Sequence, residues 1–165
     1  MLKDKRIGLC ITGSFCTFSA LLPVFDELSR HNDVTAIMSD TAYSTDTRFW
    51  NIEEYRRIVE EKTGHGIMHT IAEAERIGPG RLFDIMLIAP CTGNTLAKLN
   101  WGITDTPVTM AGKAHIRNGR PLVIAVSNSG QVARMGEAIQ RVRKHGAFTL
   151  AVTGHEDSVV GQNAE

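Results

Sequence analysis

The 165 residues contain no apolar run near the roughly 18 that cross a bilayer, no excess of either charge, and only three cysteines. Each shortage excludes something. Without a spanning segment no membrane insertion is expected. The opening residues, MLKDKRIGL, lack the apolar stretch and cleavage site of a secretory leader, so a cytoplasmic protein is expected. Eighteen basic residues balance eighteen acidic ones, which removes the long-range attraction that draws a protein to nucleic acid or anionic lipid. The expected partner is a small anion recognised locally. Cys10, Cys16 and Cys91 are odd in number and form no C-x-x-C pair. Neither a disulfide framework nor a zinc knuckle is readable, and a reducing compartment is indicated. Tryptophan is scarce, at two residues, and no repeat or low-complexity stretch divides the chain.

What is present is ordinary for a globular protein: 42% hydrophobic and 22% charged residues, enough for one core in a single domain over 1–165. Short β-rich runs alternate with helical stretches. A strand over 6–11 ends in Thr12-Gly13-Ser14, and a helix carrying Leu21, Leu22, Phe25 and Leu28 follows, in which Pro23 is tolerated only near the first turn. A strand over 34–38 leads to a helix capped by Asn51 and stopped by Gly64. A short helix over 68–77 closes in a Gly78-Pro79-Gly80 turn before the most apolar strand, 83–89. Helices over 95–99 and 107–118, a strand over 121–126, a helix over 132–145 and a strand over 147–152 complete the pattern. Five strands with intervening helices predict a three-layer α/β fold with a five-stranded parallel sheet and helices on both faces.

In such sheets ligands sit beyond the carboxyl ends of the strands, so the loops there carry the chemistry. The loop 12–17 offers Gly13 for close backbone approach and Ser14 at a helix start, where free N–H groups and the helix dipole favour an anion; plain N-capping accounts for the same residues. The loop 41–49 gathers hydroxyls, including Ser44 and Thr47, with the guanidinium of Arg48, either to close over phosphate or as a polar turn. The loop 89–95 follows the most apolar strand and contains Cys91, Thr92 and Asn94.

These loops carry a resemblance. The Gly13-Ser14 turn, the S-T-x-T-R-F segment from Ser44 to Phe49, P-x-x-x-N-T-x-A-K-L from Pro90 to Leu99, and the stretch 104–121 make residues 1 to about 126 similar to the flavoprotein family, in the branch that holds the B subunit of dipicolinate synthase. That resemblance implies a flavodoxin-like, Rossmann-like fold, flavin mononucleotide (FMN) as ligand, assembly into multimers, and participation in oxidising dihydrodipicolinate to dipicolinate. Carried over by position, Gly13 and Ser14 hold phosphate, Ser44 and Thr47 add hydroxyls, and Thr92 with Asn94 face the flavin ring or a substrate carboxylate. Family members that decarboxylate use a further histidine and a P-x-M-N-type segment; neither pattern is present, so decarboxylation is not expected.

From Val123 onward the sequence resembles instead the phosphosugar-binding sugar isomerase domain family, through Ser127-Asn128-Ser129-Gly130-Gln131 and G-A-F-T-L-A-V-T from Gly146. Ser127, Ser129 and Gly130 are the implied phosphate contacts, although Val132 stands where that family has threonine. Two resemblances meeting near 121–127 lead to the expectation of a recombined flavodoxin-like chimera without selected catalytic activity, retaining an anion or FMN site. Two alternatives stand beside it: a flavin-binding protein like the B subunit of dipicolinate synthase, and a phosphosugar-binding module. His65 and His69 have ligand-like spacing but no third ligand, so no metal is expected. Arg134, Arg141, Arg143 and Lys144 read as a solvated face, and Cys91 as a small packing residue.

Overall fold

A computed structural model describes residues 2–126 and Gln162. The elements are β1 (Arg6–Ile11), α1 (Phe18–Ser29), β2 (Asp33–Met38), α2 (Asp40–Ser44), α3 (Ile52–Thr63), α4 (Ile71–Glu75), α5 (Ile77–Gly80), β3 (Ile85–Cys91), α6 (Gly93–Asn100), α7 (Pro107–Ile116) and β4 (Leu122–Val126). A single 3₁₀ turn, Phe15–Thr17, precedes α1.

The strands form one parallel sheet in the order β2-β1-β3-β4, with Ile7 beside Val34 on one side and Ile85 on the other. The alternation of strand side chains sorts the core into two layers. Leu9, Ile11, Ala36 and Met38 pack against Phe18 and Phe25 of α1 and Tyr55 and Val59 of α3. Cys10, Ile37, Met86 and Ile88 pack on the other face against Ala74, Ile77, Leu96, Val108 and Ala111. Gly8 is required by packing: a Cβ there would lie 2.9 Å from the Phe83 ring. At the amino end of the sheet, Arg6 holds Asp84 through Nη2–Oδ1 (2.8 Å) and its own backbone N–H (3.0 Å), and Arg120 adds a contact at 3.2 Å.

The fold is therefore α/β, with a parallel sheet between helical layers, as the sequence predicts. Among the described residues the sheet has four strands rather than five; the predicted strand 147–152 and helix 132–145 lie outside them. The predicted helix over 68–77 does not form as one unit. Met68 is drawn into a bridge with the β2 edge, exchanging backbone bonds with Met38 and Ala36 (2.9 and 3.0 Å), and the helix starts afresh at a Thr70–Glu73 capping box. The Gly78-Pro79-Gly80 turn is the end of α5. Pro23 sits in the second turn of α1, not the first, at the cost of one backbone hydrogen bond. Asn51 and Gly64 cap α3 as expected: the Asn51 side chain accepts from Glu54 N at 3.1 Å, and Gly64 is left-handed at φ 71°.

Candidate functional site

β1 neighbours both β2 and β3, so the chain leaves β1 toward one side and later returns on the other. The loops that follow β1 and β3 therefore part at the carboxyl rim, the switch point at which doubly wound sheets bind ligands. Here the two loops are tied together. The Thr12 hydroxyl, only 1% exposed, donates to the carbonyl oxygen of Pro90 at 2.6 Å and accepts the Thr92 N–H at 2.9 Å. Ser39 N donates to the Ile11 carbonyl at 3.0 Å and brings the end of β2 to the same rim.

Thr92 is the N-cap of α6: its hydroxyl accepts from Thr95 N at 3.3 Å and lies 3.0 Å from the Thr95 hydroxyl. The first N–H groups of a helix have no intrahelical partner, and Gly93 and Asn94 at this start are exposed residues. Asn94 is exposed, and its amide makes no hydrogen bond among the described residues. On the facing loop, Ser14 makes no side-chain capping bond; its hydroxyl is 4.0 Å from Cys16 Sγ. A Cβ at Gly13 would meet nothing closer than Phe15 and Thr41 at 3.7 Å, so among the described residues nothing fills the space above it. Ser14 and Asn94 each stand two residues beyond a partner in the Thr12–Thr92 bond.

The second loop is more self-contained. The Ser44 hydroxyl donates to the Asp40 carbonyl at 2.8 Å, whereas Thr47 Oγ1 accepts from Phe49 N and Trp50 N at 3.2 and 3.3 Å and donates its own proton to none of the described residues. Arg48 is exposed, with its guanidinium 4.8 Å from the Phe49 ring centre. The remaining phosphate candidates, Ser127, Ser129 and Gly130, lie outside the described residues. The sequence pattern does not single out Thr12 as a functional position. The available signal is a threonine directly after each of two neighbouring parallel strands, Thr12 and Thr92.

Cys91 is 3% exposed, and burial pushes its thiol up to about 12; Cys10 is shifted upward for the same reason. Neither thiol is a nucleophile at neutral pH. The two candidate metal-spaced histidines go to separate partners. His65 pairs with Asp33 at 2.6 Å, and His69 stacks on Tyr43 at 3.9 Å between ring centres. A groove of about 590 Å³, lined by Lys3, Lys5 and His31 among others, lies at the amino ends of β1 and β2 and contains none of the rim residues. It opens at the sheet end opposite the one that binds ligands in this architecture, so the rim is the candidate site.

A parallel α/β fold with donor-bearing loops at its switch point defines a class of small-anion and nucleotide binders. Comparison with known proteins narrows it. The flavoprotein family model matches residues 1–150. The sequence is 40% identical over 157 residues to the B subunit of dipicolinate synthase from Bacillus subtilis (strain 168), covering 94% of this chain and 78% of that one. The chain belongs to the flavoprotein family. The crystal structure of the B subunit of dipicolinate synthase from Bacillus halodurans C is similar with a TM-score of 0.66 and 36% identity, over 75% of this chain and 64% of that one, so a little under two thirds of that chain is spanned. A dodecameric FMN-dependent UbiX-like decarboxylase from Escherichia coli O157:H7 shares the fold, with a TM-score of 0.70 at 19% identity, over 88% of this chain and 78% of that one.

These matches overturn the expectation of an inactive chimera. An alignment covering 94% of the chain, and a family match reaching residue 150, both run through 121–127, where a junction is expected from the sequence. One family accounts for both sides. The sugar isomerase resemblance rests on a strand–serine-rich turn–helix pattern, and that pattern is common to anion-binding loops on many α/β folds.

Proposed function

We propose that the chain binds FMN at the carboxyl rim of its sheet and acts as a flavin-bearing subunit of the dipicolinate synthase type. The observation that carries this reading is the Thr12 bond to Pro90 and Thr92, which sets the Ser14 loop against the exposed first turn of α6. Membership of the flavoprotein family and the FMN dependence of a neighbour with the same fold support the choice of ligand. The donors suit it. Ser14 and Thr47 each have a hydroxyl proton to give to a phosphate, and Gly13 leaves room for one against the backbone. Asn94, with both a donor and an acceptor, matches the alternating polar edge of a flavin ring. Thr92 shapes the turn, and Ser44 spends its proton on the Asp40 carbonyl, so it has none to give to the phosphate.

FMN supplies reversible two-electron redox chemistry when bound, and the substrate class is a dihydropyridine dicarboxylate, oxidised to the aromatic ring. The protein's own part is to orient the ligand and to hold its anionic group with fixed donors. Self-assembly is part of the reading: the E. coli neighbour is dodecameric, and Trp101 is 71% exposed here. Thermal unfolding with FMN, riboflavin and inorganic phosphate at matched concentrations tests the ligand. At a hundredfold excess over Kd, FMN is expected to stabilise by about 2.7 kcal/mol, roughly 5–10 °C. A shift no larger than that from phosphate contradicts the assignment.

A further inference from the structure

We propose that Thr12 is the positioning residue of this site, acting through a chain of three threonines that fixes the first turn of α6 against the loop after β1. The inference rests on the FMN reading above. Thr12 is 1% exposed, with its hydroxyl spent on Pro90 and Thr92, so its influence on a ligand is indirect. A hydroxyl has one proton to donate, and Thr12 uses it on Pro90 O at 2.6 Å while accepting Thr92 N–H at 2.9 Å. From Thr92 the chain continues to Thr95, whose N–H and hydroxyl lie 3.3 and 3.0 Å from Thr92 Oγ1 and which is itself 7% exposed. Parallel strands β1 and β3 pair only as far as Cys10 with Ile88, so beyond them no backbone ladder holds the two loops in step. The threonine side chain takes over that task.

Valine at position 12 keeps the shape and removes both bonds. Ser14 and Asn94 then lose their fixed separation, and a ligand that touches both must order them on binding. Serine keeps the bonds and gives up only a methyl group. Affinity is therefore expected to follow the hydroxyl rather than overall stability.

The test is FMN titration of the wild type, Thr12→Val, Thr12→Ser and Thr12→Cys, with amide hydrogen exchange at Thr92 and Thr95 on the same proteins. Ile7→Val, a core change at the far end of β1, serves as a stability control. Expected results are Thr12→Ser within about twofold of wild type in Kd, Thr12→Val weaker by tenfold or more with faster exchange at Thr92, and Ile7→Val binding as wild type. Equal Kd for Thr12→Val and wild type overturns the proposal and leaves the FMN reading standing. If Thr12→Val does not fold, Thr12→Cys decides, because its thiol is a weak hydrogen-bonding group. Affinity equal to that of Thr12→Ser overturns the proposal. A wild type that ignores FMN removes the ligand reading, and the exchange rates at Thr92 and Thr95 then decide the positioning claim alone.

Discussion

His115 Nε2 lies 3.0 Å from the carbonyl oxygen of Pro121, and the residue that makes this contact is 1% exposed. A carbonyl only accepts, so the neutral ring carries its proton on Nε2. Burial holds the pKa of His115 below the ordinary 6.5, with Arg120 pushing the same way and the Pro121 bond opposing. The folded state therefore binds fewer protons than the unfolded one across that window, and the stability His115 contributes is complete above pH 6.5 and lost on acidification below it. Urea midpoints should fall between pH 7.5 and pH 5, with a shallower fall in His115→Gln. His115→Leu leaves the Pro121 carbonyl unpaired and should cost about 1–3 kcal/mol.

Asp84 titrates in a lower window. The Arg6 side chain and backbone N–H, with Arg120 behind them, hold its carboxyl well below the usual carboxylate range. Its stabilising effect is present above the ordinary carboxylate pKa and disappears as pH falls below it. Asp84→Asn should be less stable than wild type at pH 7 and should converge with it toward pH 2, as followed by circular dichroism during acid titration.

Two glycines at the end of α3 behave differently under the same substitution. Gly64 has φ 71°, and its N–H donates to the Glu60 carbonyl, whereas Gly66 has no positive φ and open space where a Cβ would go. Gly64→Ala should cost about 1 kcal/mol, or 2–4 °C in melting temperature, and Gly66→Ala should leave it unchanged or slightly raised.

Gly13 separates ligand from fold. Among the described residues the nearest atoms to an added Cβ are 3.7 Å away, an ordinary contact, so Gly13→Ala should change stability by no more than about 0.5 kcal/mol. FMN affinity should nevertheless fall, because the methyl group occupies the space left for the phosphate. An unchanged Kd would place the phosphate away from this loop.

Local chemistry makes much of the fold legible. The near-continuous apolar runs of β1 and β3 mark them as strands, and the Asn51 and Gly64 caps mark both ends of α3. The sequence misleads where distant atoms compete. Nothing local shows that Met68 gives up helix for the edge of β2, because its partners, Ala36 and Met38, are thirty or more residues earlier. The same holds at the rim. Ser14 and Asn94 are readable from their loops, but Thr12 is not, since its role exists only when β1 and β3 lie side by side. The expected junction fails for a related reason: a short serine-rich turn has a chemistry shared by many families, and only the match along the whole chain tells them apart.

Equilibrium titration of the wild-type protein with FMN, read by flavin fluorescence, decides whether the carboxyl rim of the sheet holds a flavin. Saturable quenching at one flavin per chain is expected, weakened tenfold or more by Asn94→Ala and by Ser14→Ala and unaffected by Ser44→Ala. Quenching that never saturates, or that is the same in the wild type and in the Ser14 and Asn94 variants, contradicts it.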